Sequence, residues 1–426
     1  LSSTVIAKVH ARRVWDSRGR PTVEAEVTLA GGAVGRAIAP AGASRGSHEA
    51  IDLRDGGAGL GGLDVACAVA NVNGPIAATL AGRDALEQQE IDTALIALDG
   101  TPNKARLGGN ALVAVSLAVA HAAAAARNAP LWRYLAGDDQ VTLPLPEIQI
   151  FGGGAHAGRR IDVQDLMVMA VGATTFADAL VMTAEVYRAA GALMAEAGKL
   201  AGVADEGGWW PAFDDNEQAL TMLVRAIERA GYRPGADVAI SLDIAASEFG
   251  RDGRYRLGLE KRVLDRDGMS ELLLRWLDRY PIVSIEDPLA EDDREGWIAF
   301  TRAAGARVQI IGDDYLTTSA ERVAAAAADR ACNAVLIKPN QAGTVTETLA
   351  ALRAGKAAGF GTIVSARSGE TEDVSIVHLA VGWNAGQFKV GSFTRSERMA
   401  KWNEMLRVEE ALGGQARYVG ASALAR

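Results

Sequence analysis

Residues 333–368 read NAVLIKPNQAGTVTETLAALRAGKAAGFGTIVSARS. A short apolar run, NAVLIKP, stops at Lys338; a helix-like segment, TVTETLAALRAGKAAG, follows; a second apolar run, TIVSARS, stops at Arg367. Short apolar runs separated by a helical segment are the pattern of a strand–helix–strand unit with parallel strands. The pattern extends in both directions. VAISLD ends at Asp243, PIVSIED carries Glu286, VQIIGDD carries Asp313 and GQFKVGS carries Lys389, while MSELLLRWLDRY (269–280) is a further helical spacer. The charged residues follow one another at intervals of 43, 27, 25, 29 and 22 positions. This spacing predicts a parallel β/α barrel. An open doubly wound sheet is the alternative, and it lacks the glycine fingerprint after an early strand.

Upstream the pattern changes. VWDSRGRPTVEAEVTL (14–29) alternates apolar and polar residues around a turn-prone SRGRP, which predicts strands. A glycine-rich loop, PAGASRGSHEA (40–50), comes next, and helical patterns run from about Val65 to Leu135. Strands followed by helices predict an α+β domain over residues 1–140. TLPLPEIQIFGGGAHAG (142–158), with Pro144 and Pro146, opens the second domain, 141–426. The apolar stretch Ala111–Ala126 reads as a helix packed inside the protein, capped by Asn110. Ser116 and His121 interrupt it, and it reads as too short for a bilayer.

The bulk numbers set limits. The chain has 426 residues, 49% hydrophobic and 23% charged, with a formal net charge of -9. That is the composition of a globular enzyme. Without a basic block, neither nucleic acid nor a membrane is expected as a partner. Cys67 and Cys332 are far apart, with no metal-binding spacing, and read as two buried, inert thiols in a reducing compartment. The N-terminal segment lacks the apolar core of a signal peptide, so the expectation is a cytoplasmic protein.

In a β/α barrel the chemistry lies at the carboxyl ends of the strands. Asp243, Glu286 and Asp313 would converge there from three successive units. Three carboxylates in one place repel unless a hard cation sits among them, and oxygen ligands select Mg²⁺, Mn²⁺ or Ca²⁺. Lys338, Arg367 and Lys389 end the next three runs. A lysine beside a metal and another cation can have its pKa lowered and act as a base. Arg367 suits a phosphate or carboxylate. Two further segments are unusual: ADEGGWWP, carrying Asp205 and Glu206, and the glycine-rich GGGAHAG, carrying His156. A lone loop histidine or a lone strand-end acid is more often structural or solvated; the order of three acids followed by three bases is what argues for a site.

Together these segments resemble the enolase family, from WDSRGRPTVE near the start to RSERMAKWNEMLRVEEALG near the end. VADEGG, SLDIAASEF, VSIEDP, LIKPNQAGTVTET and SARSGETEDVSI occur in the family's order. The resemblance implies an α/β fold: an enolase-like β/α barrel opening with an antiparallel pair, capped by an N-terminal α+β domain. It implies two Mg²⁺ per active site, the first held by Asp243, Glu286 and Asp313, the second arriving with substrate and bound at Ser44. It implies that Lys338 is the base and Glu206 the acid that helps a hydroxyl leave. Arg367 and Ser368 match phosphate contacts, Lys389 a carboxylate contact, and His156 and Gln164 substrate-site positions. A homodimer or homo-octamer is implied.

The sequence departs from the family in this same region. Ala366 replaces a histidine, Asp165 a glutamate, Ala41 a serine, Arg45 a threonine and Gly152 an asparagine, and Trp209 and Trp210 follow DEGG. Arg45 and Asp165 are therefore expected to contact the substrate, with Arg45 bringing charge on a closing loop and Ala366 making room. The reaction expected is loss of water from 2-phosphoglycerate or a close analogue, by removal of the proton beside the carboxylate. Alternatives are a paralogue acting on a phosphonate-bearing analogue, as carboxyphosphonoenolpyruvate synthases do, and a non-catalytic binding protein.

Overall fold

A computed structural model describes residues 3–424. Strands β1 (Ile6–Trp15), β2 (Pro21–Leu29) and β3 (Val34–Ile38) form an antiparallel meander, with the SRGRP segment as its first turn. The helix Gly109–Ala126 lies on β2 and β3. Its alanine-rich face lets it approach unusually closely: a Cβ at Gly35 would fall 2.1 Å from Ala118 O and from Ala122 N. Two details differ from the sequence reading. Asn110 is not the cap, a place taken by Gly108. Its side chain instead accepts from Leu53 N (3.2 Å) and donates to Leu53 O (3.1 Å). The helix also starts two residues earlier than read. At 18 residues it reaches the length of a bilayer span, but 83% of it is buried against the rest of the protein.

The second part is a closed eight-stranded barrel: β4 (Leu145–Gly152), β5 (Asp165–Met169), β6 (Ala239–Asp243), then, after a small antiparallel sheet of β7 (Gly250–Arg251), β8 (Arg254–Leu257) and β9 (Arg262–Asp265), β10 (Ile282–Glu286), β11 (Gln309–Gly312), β12 (Ala334–Ile337), β13 (Gly361–Ser365) and β14 (Gly386–Ser392). The small sheet accounts for the long interval between Asp243 and Glu286. The barrel is not wholly parallel: β5 runs antiparallel to both β4 and β6. The antiparallel opening is thus present, and the parallel expectation holds from β6 onward and across β14–β4.

Register fixes what meets at the mouth. Asp165 pairs with Asp243, and Asp243 with Glu286; Ser365 pairs with Lys389, and Lys389 with Glu147. Lys389 sits inside β14, which continues three residues beyond it, so it enters the lumen rather than ending its strand. The thiols differ from expectation: Cys332 is buried, whereas Cys67 is exposed at the start of the helix Ala66–Asn71.

Candidate active site

Asp243 and Glu286 end β6 and β10, and Asp313 follows β11 by one residue. All three are buried. They do not face one another directly; two ammonium groups stand among them. Lys389 Nζ donates to Asp243 Oδ2 (2.9 Å) and Glu286 Oε2 (2.7 Å) and lies 3.6 Å from Asp165 Oδ2. Lys338 Nζ donates to Asp313 Oδ2 at 2.5 Å. Burial disfavours both charges, but the acids outweigh it, led by Asp243 for Lys389 and Asp313 for Lys338, and both lysines are held above the usual range. For Lys338 this is opposite in direction to the lowering expected from a neighbouring cation; its closest charged partner is Asp313.

The carboxylates fit a cation. Glu286 is fully buried, and its Oε1 has no hydrogen-bond partner among the described residues. Burial first, then Asp243, push its pKa well up. A buried carboxylate oxygen without a donor is either protonated or waiting for positive charge. Asp287 orients the neighbouring turn, accepting from Asp313 N (2.9 Å) and Asp314 N (2.8 Å). Two other sets of ligand atoms lie within 4.8 Å of one another: Asp287, Asp313 and Asp314, and His156, Asp165 and Glu206.

The second set forms the opposite wall. His156, in the short helical turn Gly154–Ala157, has Nδ1 2.9 Å from Asp165 Oδ1, and Nε2 3.0 Å from Ser368 Oγ and 3.8 Å from Glu206 Oε1. Burial alone would strip the imidazole of its proton. Asp165 and then Glu206 outweigh burial and raise His156 to about 9. Gln164 Nε2 donates to Asp243 Oδ2 at 3.1 Å. Glu206 is buried in the loop between two strand-like bridges, with its carbonyl accepting from Ser392 N at 3.0 Å.

The glycine-rich loop 40–50 lies over Arg367. Arg367 donates to Ser44 O (2.9 Å), Asn340 Oδ1 (3.1 Å) and both oxygens of Glu49 (3.0 and 3.3 Å). Gly42 is required here, because a Cβ on it would fall 1.9 Å from an Arg367 nitrogen. Burial opposes the guanidinium charge, but Glu49 and Asp313 more than compensate. Ser44, His156, Glu206, Lys338, Ala366 and Arg367 are among the walls of a cavity of only about 20 Å³. Ala366 therefore adds no open space to this form of the site. Arg45 is not brought in: its side chain is 48% exposed and bonds Asp52 at 3.0 Å.

Several participants escaped the sequence reading. Glu49 could have been noticed as an acid inside a glycine-rich loop. Gln149 and Glu147 are polar residues at alternate positions of an otherwise apolar strand, which places both on the lumen face. Arg398, fully buried, donates to the carbonyls of Arg367 (2.6 Å), Val390 (2.9 Å) and Ser368 and so holds the turn after β13. No local signal marks it.

A capped barrel with buried acids, lysines and an arginine converging at its carboxyl end has the arrangement expected of a hydro-lyase. The chain belongs to the enolase family: residues 6–135 match the enolase N-terminal domain, and residues 140–426 the enolase C-terminal TIM barrel domain. It is similar to Enolase 1 of Desulfitobacterium hafniense (strain Y51), with 50% identity over 416 residues, covering 97% of this chain and 95% of that protein. The family is generally magnesium-dependent and acts on a small phosphorylated substrate.

Proposed function

We propose that this enzyme converts 2-phosphoglycerate to phosphoenolpyruvate and water. The observation that carries the reading is the convergence of Lys338 and Glu206 on one enclosed cavity beside Arg367 and Lys389. Asp243, Glu286 and Asp313 would hold one Mg²⁺ and Ser44 a second, which arrives with substrate. Mg²⁺ held there would supply positive charge beside the substrate carboxylate and beside Asp313, the acid that keeps Lys338 protonated, so that the lysine would fall toward a working base. Lys338 takes the proton beside the substrate carboxylate. Glu206 delivers a proton to the leaving hydroxyl, drawn from the pair it makes with protonated His156 at 3.8 Å. Arg367 and Ser368 bind the phosphate, and Lys389 binds the carboxylate. Gln164 and Asp165 support this wall through Asp243 and His156. Residues 1–140 act as the cap, and 141–426 carry the chemistry. The 50% identity to Enolase 1 favours 2-phosphoglycerate over the phosphonate-bearing analogue, which nothing in the site specifically supports.

We further propose a cytoplasmic homodimer or homo-octamer; the exposed Trp15 (52%) and Val181 (61%) are apolar surface available for such contacts. Phosphoenolpyruvate formation followed by ultraviolet absorbance decides the activity. It should require magnesium, stop with EDTA, and fall by about 10³-fold or more in Lys338→Ala, since loss of the base removes the proton-transfer step. A fully active Lys338→Ala refutes the assignment of the base.

A further inference from the structure

Gln149 lies on β4, fully buried, and its amide joins two parts of the site. Its Nε2 donates to Asp165 Oδ1, the same oxygen that faces His156 Nδ1. Its Oε1 accepts from Gly208 N at 2.8 Å. Gly208 belongs to the loop that carries Glu206, and Ala204 N closes that loop by donating to Gly208 O at 2.7 Å. The backbone N–H and the carboxylate determine which end of the amide faces which partner, so only a neutral group with an acceptor and a donor on one plane satisfies both.

The surroundings are shaped to this side chain. A Cβ at Gly208 would fall 2.3 Å from Gln149 Oε1, and a Cβ at Gly152 would fall 3.0 Å from the same atom and 2.6 Å from Ala204 Cβ. Two glycines thus clear the space that the amide fills. Among the described residues Asp165 Oδ2 has no hydrogen-bond partner, and Oδ1 takes one bond from Gln149 and one with His156.

We propose that Gln149 is a positioning residue: it fixes Asp165 against His156 and, through Gly208, sets the loop that places Glu206 beside the same imidazole. It does not line the cavity and so acts through these partners. The inference rests on the 2-phosphoglycerate reading for its kinetic consequence, though not for its structural one. Asp165 is short and Gln149 long, and the reach between their backbones is shared between the two side chains.

The test uses the full-length enzyme with magnesium. Gln149→Met keeps the volume and removes both hydrogen bonds. Its kcat on 2-phosphoglycerate should fall about 10²-fold, the order expected when a reacting group is misplaced by an ångström, while KM changes less than about twofold. Moving one methylene across the pair, in Gln149→Asn combined with Asp165→Glu, restores the bond to Asp165 but not the one to Gly208, so kcat should rise above that of Gln149→Asn while staying below the parent. The imidazole ¹⁵N resonances of His156, recorded without substrate, should shift in Gln149→Met and in Gly208→Ala. Gly208→Ala reaches the amide from its other side and covers the case in which Gln149→Met does not fold. Parent-like kcat in Gln149→Met, or a double variant no better than Gln149→Asn, overturns the proposal. If the parent enzyme does not dehydrate 2-phosphoglycerate, the functional reading fails, and the resonances alone decide: a shift in either variant supports the positioning role, and unchanged resonances overturn it.

Discussion

Arg45 carries its charge away from the cavity and into a half-exposed pair with Asp52, so it does not act as a substrate contact in this form of the enzyme. Such pairs contribute about 0–1 kcal/mol. Arg45→Thr should therefore leave kcat and KM on 2-phosphoglycerate within about twofold; a loss of tenfold or more in steady-state kinetics would return Arg45 to the substrate. The residues that were legible are those that close an apolar run: Asp243, Glu286, Asp313 and Lys338 stand out because burial makes a charge at a strand end conspicuous. What was not legible is pairing. Arg367 finds Glu49 across 318 positions of sequence, and Lys389 finds Asp243 across 146. Such partners are chosen by the closed barrel and by side-chain rotamers, neither of which leaves a local pattern.

Among the elements, six of the barrel strands, β6 and β10 to β14, were readable because each is short, apolar and bounded by turns. The reversed direction of β5 followed from the family resemblance and not from its own residues, since DLMVM reads the same either way. The buried alanine helix illustrates a different confusion. Asn110 sits where a cap would be, yet its amide holds the backbone of Leu53 from inside the helix. Asn110→Ala removes both of these bonds and leaves Leu53 polar groups with poorer partners. The expected cost is about 1–2 kcal/mol, seen as a lower midpoint in urea denaturation with an unchanged slope. An unchanged midpoint would mean that water replaces the amide without penalty.

For the molecule as a whole, one pH dependence of stability comes from a buried histidine that is not among the cavity walls. His378 is buried against His121, with ring centroids 6.2 Å apart, and has Glu404 at 3.7 Å. Burial first, and then His121, depress His378 to about 4. In the unfolded chain this group takes up its proton near the ordinary value of about 6.5, so the unfolded state binds more protons between the two values. Stability from this group is complete above about 6.5 and declines as pH falls toward about 4, by on the order of 2 kcal/mol at pH 5. His378→Gln should flatten that decline, measured as the difference in urea midpoint between pH 7 and pH 5; an identical decline in the variant would assign it to other groups. The cavity of about 20 Å³ has a consequence of its own. It admits about one water molecule, and 2-phosphoglycerate is far larger. Substrate can enter only where the walls part, and residues 40–50, held over Arg367 through Ser44 and Glu49, form one such wall. Turnover then includes a mechanical period, and kcat should fall as solvent viscosity is raised with sucrose; a kcat independent of viscosity would place the slow step in the chemistry.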